Sequence, residues 1–119
     1  MNNKAIYDDL RSKALEIQPE DLGIRLENET QVYAALIDFK TNNRLVTLFC
    51  TINGDVSLYF SDAVPAIGLG QSELIQKKAI SFLISSGQTI PYLAKMNHSS
   101  DYDKERVFLL AEKKIHTID

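Results

Sequence analysis

The sequence predicts an α+β fold in which two helices pack on one face of a mostly antiparallel sheet of four to five strands. An amphipathic segment opens the chain, three apolar segments follow at hairpin spacing, and a longer segment of helical period precedes the last strands. The predicted order is α-β-β-β-α-β, with one further β at the end. Two apolar helix stripes need one common surface to cover, so both helices are expected on the same sheet face.

Length and composition predict one domain over residues 1–119, with 45% hydrophobic and 24% charged residues. The net charge of −3 and the lack of a long basic run argue against nucleic acid as a partner. No segment approaches the ~18 continuous apolar residues of a membrane span, and no apolar signal stretch opens the chain. We therefore expect a cytoplasmic protein that does not bind membranes.

The first predicted element is a helix over residues 4–17, in which apolar residues recur at steps of four, four and three. They are Ile6, Leu10, Ala14 and Ile17. Asn2 or Asn3 is a suitable N-cap, and Pro19 follows the end of the pattern.

Three strands are predicted next, over residues 31–39, 44–52 and 55–61. The first is apolar on both faces, which is typical of a central strand. The polar residues 41–43 turn the chain after it. Asn53 and Gly54 then form the pair that best tolerates the positive φ angles of a type I′ turn. The three strands are therefore expected to form an antiparallel meander.

An apolar, glycine-containing loop over residues 61–72 is predicted to lead into the second helix, which begins within residues 71–73. Pro91 falls inside the helical pattern, and its ring would crowd the carbonyl group of Gly87. A kink or break is expected there. The last predicted elements are strands over residues 106–111 and 115–118.

Two motifs carry a resemblance to a known group of proteins: residues 56–61, which read VSLYFS, and the loop with Gly68 and Gly70 before a long helix. With the turn at residues 19–23, they resemble a family of small uncharacterised bacterial α+β proteins with an SLYFS strand, from about residue 8 to 118. Relatives have more glycines where this chain has residues 63–65. The resemblance implies a bacterial cytosolic protein, and it implies no activity.

The loop from Ser61 to Ser72 is the predicted ligand site, because a glycine-containing loop that enters a helix presents backbone N–H groups beside the positive helix end. The predicted ligand-binding residues are Ser61, Gly68, Gly70, Gln71 and Ser72. Gly68 and Gly70 are half of a dinucleotide fingerprint, since Glu73 occupies the position of the third glycine. Glu73 is expected to cap the helix through the N–H of Gly70.

No catalytic residue, metal site or cofactor is predicted. Cys50 shares its strand face with apolar neighbours, which indicates a buried, inert thiol. His98 and His116 are far apart and lack the spacing of metal ligands. Asp38 interrupts an apolar strand and could act as a catalytic carboxylate, but the sequence names no partner for it.

The surface that the predicted helices leave open indicates what kind of protein this is. A sheet with two apolar faces and helices on only one of them would need a protein partner or a second copy of the chain on the other. The sequence therefore favours a non-catalytic cytosolic protein-interaction protein, an adaptor, regulator or inhibitor that acts through its open sheet face or through the loop before the second helix. The alternative is a small anionic-ligand-binding module that uses the loop between Ser61 and Ser72 and the start of the second helix.

Overall fold

The computed structural model describes residues 2–27, 31–41, 43–87, 106–111 and 114–118. The helices in these ranges are α1 (Asn3–Leu15) and α2 (Glu73–Gly87), with short 3-10 turns at Pro19–Leu22 and Leu69–Gln71. The strands are β1 (Ala34–Thr41), β2 (Arg44–Thr51), β3 (Val56–Phe60), β4 (Ala63–Ala66), β5 (Arg106–Ala111) and β6 (Lys114–Ile118). The predicted α+β class is confirmed, with six strands among the described residues in place of the expected four to five.

All strands form one antiparallel sheet in the order β4-β3-β2-β1-β5-β6. The meander of β1, β2 and β3 is confirmed. β1 lies at the centre of the sheet, paired with both β2 and β5, as its two apolar faces predicted.

β4 is a strand that the sequence analysis assigned to a loop, and that assignment is wrong. It pairs with β3 through Leu58 opposite Ala66 and Phe60 opposite Ala63, with an irregular register between the two pairs. Pro65 lies within it. Proline supplies no backbone N–H, and it is tolerated here because β4 is an edge strand.

The two helices lie on opposite faces of the sheet, so the expectation that both pack on one face is also wrong. On one face, Tyr7 and Ala14 of α1 cluster with Leu36. On the other face, Leu83 of α2 clusters with Ala35, the neighbour of Leu36 in β1. Successive strand residues point to opposite faces, and because both faces of β1 are apolar, each requires its own cover. The sheet face that was expected to be open to a partner is therefore covered by a helix, and that expectation is wrong.

The hairpin between β2 and β3 is not the type I′ turn that Asn53 and Gly54 suggested. A type I′ turn needs a positive φ at both central residues. Gly54 has a φ of 90°, but the φ of Asn53 is not positive. The N–H of Gly54 donates to the carbonyl oxygen of Thr51 at 2.9 Å, and the N–H of Thr51 donates to the carbonyl oxygen of Asp55 at 3.0 Å. This is a three-residue loop closed by a left-handed glycine.

The start of α1 agrees with the sequence, whereas its end at Leu15 comes two residues before the predicted one. The side chain of Asn2 accepts a hydrogen bond from the N–H of Ala5 at 2.8 Å, which makes Asn2 the N-cap of α1. α2 is described as far as Gly87, so the predicted kink at Pro91 lies outside the described residues.

Candidate functional site

A groove of about 600 Å³ lies between the Pro19–Leu22 turn, the β2–β3 hairpin and the start of α2. This volume is within the range of small-molecule sites. Its apolar side chains are Ile17, Leu22, Phe49, Val56 and Ile67. Its polar side chains are Thr51, Asn53, Asp55, Ser57, Gln71, Glu73 and Gln76.

Three of the five predicted ligand-binding residues line this groove, namely Gly68, Gly70 and Gln71. Ser61 is not among them, since it lies after β3, where its Oγ accepts a hydrogen bond from the N–H of Leu45 at 2.9 Å. The structure therefore brings the glycine part of the predicted site together and separates Ser61 from it.

Ser72 caps α2, the role that the sequence analysis gave to Glu73. Its carbonyl accepts the N–H of Gln76 at 2.9 Å, and its Oγ lies 3.5 Å from the N–H of Ile75. Glu73 instead pairs with Lys77, 2.9 Å from carboxylate oxygen to Nζ. A serine at the N-cap satisfies helix N–H groups that an anion would otherwise bind.

Gly70 is required by close backbone contact and not by an unusual φ angle. A Cβ atom at Gly70 would overlap the carbonyl oxygen of Gly54, and one at Gly54 would overlap the side chain of Gln76. Of the two loop glycines, only Gly68 has a positive φ, at 82°. Gly70 therefore allows the hairpin to contact the start of α2 directly.

Side-chain hydrogen bonds hold in place the β2–β3 hairpin, which forms one wall of the groove. The Nδ2 of Asn53 donates to the carbonyl oxygen of Leu22 at 2.9 Å, which joins the hairpin to the Pro19–Leu22 turn. The Oγ1 of Thr51 donates to Oδ2 of Asp55 at 3.0 Å. The groove is therefore bounded by elements that are fixed to one another.

The charge of the groove is negative. Asp55 and Glu73 line it, and no lysine, arginine or histidine is among the described residues that do so. Like charges repel, so this lining disfavours a small anionic ligand and favours a cation or a hydrogen-bond donor.

A second polar group lies between α1 and the sheet. The hydroxyl of Tyr7 lies 2.6 Å from Oγ1 of Thr47, and that Oγ1 donates to Oδ1 of Asp38 at 2.6 Å. Since the single proton of Thr47 goes to Asp38, Tyr7 is the donor in the first bond. The Nε of Arg11 donates to both carboxylate oxygens of Asp38 at 3.1 and 3.2 Å, and its guanidinium lies 5.3 Å from the ring centre of Phe108.

This chain of hydrogen bonds supplies the partner of Asp38 that the sequence did not name. Its carboxylate accepts hydrogen bonds from Arg11 and Thr47, which attaches α1 to β1 and β2 and gives the group a structural role. One sequence signal was available: Tyr7, Arg11 and Ala14 are spaced by four and three residues, so Arg11 shares the inward face of α1.

Of the other candidates from the sequence, Cys50 and His116 lie within the described residues. Cys50 is 1% exposed, and burial raises the pKa of its thiol to about 11. His116 lies on β6 opposite Leu109, and His98 lies outside the described residues. Within the described part of the chain, no three potential metal ligands cluster together.

Several large apolar side chains are exposed on β4, on the loop after it and on α2. The most exposed are Val64 at 76%, Ile67 at 67% and Leu74 at 65%. Ile67 lines the groove, as does Glu73, the residue before Leu74. We call Val64, Ile67 and Leu74 the apolar rim.

Comparisons with protein-family models, curated proteins and solved structures found no match to this chain. Among the described helices, none has the length and hydrophobicity needed to cross a bilayer.

Proposed function

We propose that this protein is a non-catalytic protein-interaction protein, an adaptor, regulator or inhibitor that binds its partner through the apolar rim. The observation that carries this proposal is the exposure of Val64, Ile67 and Leu74 by about two-thirds or more. Ile67 lines the groove, while Val64 and Leu74 lie within three residues and one residue of groove-lining positions along the chain. Exposed apolar side chains beside a groove are typical of surfaces that bind another protein.

A comparison of the two helices supports the proposal. Every exposed position of α1 carries a polar residue, which is the normal pattern of a helix on a protein surface. α2 instead exposes four large apolar side chains. They are Leu74, Ile75, Phe82 and Ile84. Exposing such side chains to water brings no stability to the protein alone, so their place on α2 is explained by a partner that covers them.

The settings of the reactive side chains argue against catalysis. The Cys50 thiol is buried, and the Asp38 carboxylate is bound to Arg11 and Thr47. In the groove, the hydroxyl of Thr51 donates to the carboxylate of Asp55, but Thr51 is only 1% exposed, which keeps its hydroxyl out of reach of a substrate.

The test is capture of the partner from the cells that make this protein, with variants that separate the apolar rim from the rest of the surface. The double variant Ile67→Ser and Leu74→Ser reduces the rim. The control Ile115→Ser removes an exposed isoleucine from β6, at the opposite edge of the sheet. We expect one partner to bind the wild type and the control, and to be lost from the double variant.

Thermal unfolding would show that all three proteins are folded. A partner captured equally by the double variant would contradict the proposal, as would a wild type that captures nothing. If the retained partner is a second copy of the chain, sedimentation velocity would show a dimer that the double variant fails to form.

A further inference from the structure

We propose that the groove beside the apolar rim binds a basic side chain, an arginine or a lysine, of the partner polypeptide. This inference rests on the proposed protein-interaction function and names the chemistry that the partner brings to it. It is carried by three features of the groove: two carboxylates from different elements that both line it, an apolar lining, and walls that are hydrogen-bonded or packed against one another.

Charge complementarity selects the basic residue. The β2–β3 hairpin contributes Asp55 and α2 contributes Glu73, while the described lining holds no cation. Asp55 accepts one hydrogen bond from Thr51, and a carboxylate has about four acceptor positions. The pair between Glu73 and Lys77 joins side chains that are 76% and 70% exposed, so its exchange for a partner's cation costs little.

The apolar lining fits the aliphatic stem of the same side chain. Leu22 and Ile67 line the groove together with its carboxylates. Arginine and lysine bury a stem of three or four methylene groups against apolar surface while the charged head remains hydrogen-bonded. Arginine is the better fit, because its planar guanidinium donates to a carboxylate through two parallel hydrogen bonds.

Contacts within the protein hold the walls of the groove in place without a ligand. The backbone of Gly70 lies against Gly54, and Asn53 holds the hairpin to the carbonyl oxygen of Leu22. A groove with fixed walls needs little ordering on binding, so more of the interaction energy appears as affinity.

An NMR titration of the full chain tests this inference. The probe is Nα-acetyl-arginine N-methylamide, and the matched neutral probe is the citrulline analogue, which has nearly the same shape without the charge. We expect the arginine probe to shift the backbone amide signals of Gly54, Asp55, Gly70 and Gln71, and the citrulline probe to leave them in place.

Two variants make the result specific to the carboxylates. In the double variant Asp55→Asn and Glu73→Gln, affinity for the arginine probe should fall by about tenfold, equivalent to about 1.4 kcal/mol. The control is Asp9→Asn on α1, which removes a carboxylate with the same i,i+4 lysine pairing, here to Lys13. It should bind the probe as the wild type does.

The inference is overturned if neither probe shifts these signals, if both shift them equally, or if the double variant binds as tightly as the wild type. The capture assay separates this failure from that of the proposed function. A partner that is lost from the Ile67→Ser and Leu74→Ser protein but still binds the Asp55→Asn and Glu73→Gln protein would support the interaction function and reject the basic side chain.

Discussion

Burial determines what the titratable side chains of this protein do. Cys50 lies in the cluster of β1, β2 and α2, where burial raises the pKa of its thiol to about 11 and removes its value as a nucleophile. Tyr7 is 4% exposed, and it donates to Thr47 in the chain that ends at Asp38. Both side chains therefore contribute to the fold.

Tyr7 makes the stability of the protein sensitive to alkaline pH. Its pKa is raised above 10.0, chiefly because burial disfavours the phenolate. The folded protein thus holds this proton more tightly than the unfolded chain does. The stabilising contribution is complete below the ordinary pKa and is lost as the pH rises through the raised one. Unfolding should therefore become easier above about pH 10.

The substitution Tyr7→Phe tests this relation. At neutral pH it should lower the free energy of unfolding by about 0.5–1.5 kcal/mol, because the donation to Thr47 is lost. Above about pH 10 its stability should decline less steeply than that of the wild type. Urea unfolding at a series of pH values measures both effects. An unchanged alkaline slope would assign the effect to Tyr33, Tyr59 and Cys50, whose pKa values burial also raises.

At the scale of elements, the contact between the hairpin and α2 depends on Gly70. The substitution Gly70→Ala places a methyl group in the position of the Gly54 carbonyl oxygen, so one of the two backbones must move. We expect a loss of about 2 kcal/mol or more in unfolding free energy, at the upper end of overpacking effects. The amide signals of Gly54 and Asp55 should shift in NMR spectra.

Gly23→Ala is the matched control for this prediction. Gly23 has a φ of 69°, and no atom beyond its two chain neighbours lies within 4 Å of the place that an alanine methyl group would take, so its substitution tests backbone strain without a steric clash. It should cost roughly 1–2 kcal/mol. Because Asn53 contacts the neighbouring Leu22, any shift in the hairpin should be confined to Asn53, with the signals of Gly54 and Asp55 unchanged. If Gly70→Ala were as stable as the wild type, the close contact with Gly54 would not exist in solution.

Elements with a clear hydrophobic period were predictable from the sequence, and the irregular ones were not. α1 and β1 to β3 were predicted because their apolar residues repeat with the period of a helix or of a strand. In α1, β1 and β2 the repeat extends over eight residues or more. β4 has four residues and contains Pro65, so its local pattern is that of a loop. Its position at the edge of the sheet, which makes proline acceptable, is a tertiary property.

The candidate site shows the same division. Gly68, Gly70 and Gln71 were predicted because they are neighbours in one loop. Leu22 and Asp55 were missed, since they come from distant parts of the chain. Only the packing of the hairpin tip against α2 and the Pro19–Leu22 turn brings them together, and no local pattern encodes that contact.

At the scale of the whole molecule, the placement of the helices follows from a pattern that the sequence already contained. β1 has apolar residues on both faces, and Leu36 and Ala35 are both fully buried, one on each face. A central strand of this kind needs cover on two sides. One helix per face provides it, whereas two helices on one face would have left half of β1 exposed.

Because α2 covers one face and exposes its own outer apolar residues, we expect the purified protein to self-associate weakly when no partner is present. Sedimentation velocity over a range of concentrations should show a reversible increase in mass. Sulfate should strengthen the association, since it is excluded from protein surfaces and favours apolar burial. The substitutions Leu74→Lys and Ile84→Lys should suppress it, because each places a charge on the exposed side of α2.

The control for this prediction is Ile115→Lys, at an exposed isoleucine on β6. It adds the same charge to a chain whose net charge is −3, so any effect of overall charge is shared between control and test variants. Suppression by the α2 variants alone would place the association on α2. Equal suppression by Ile115→Lys would show that the added charge of the molecule, and not its position on α2, prevents the association. A wild type that stays monomeric at every concentration would contradict the prediction.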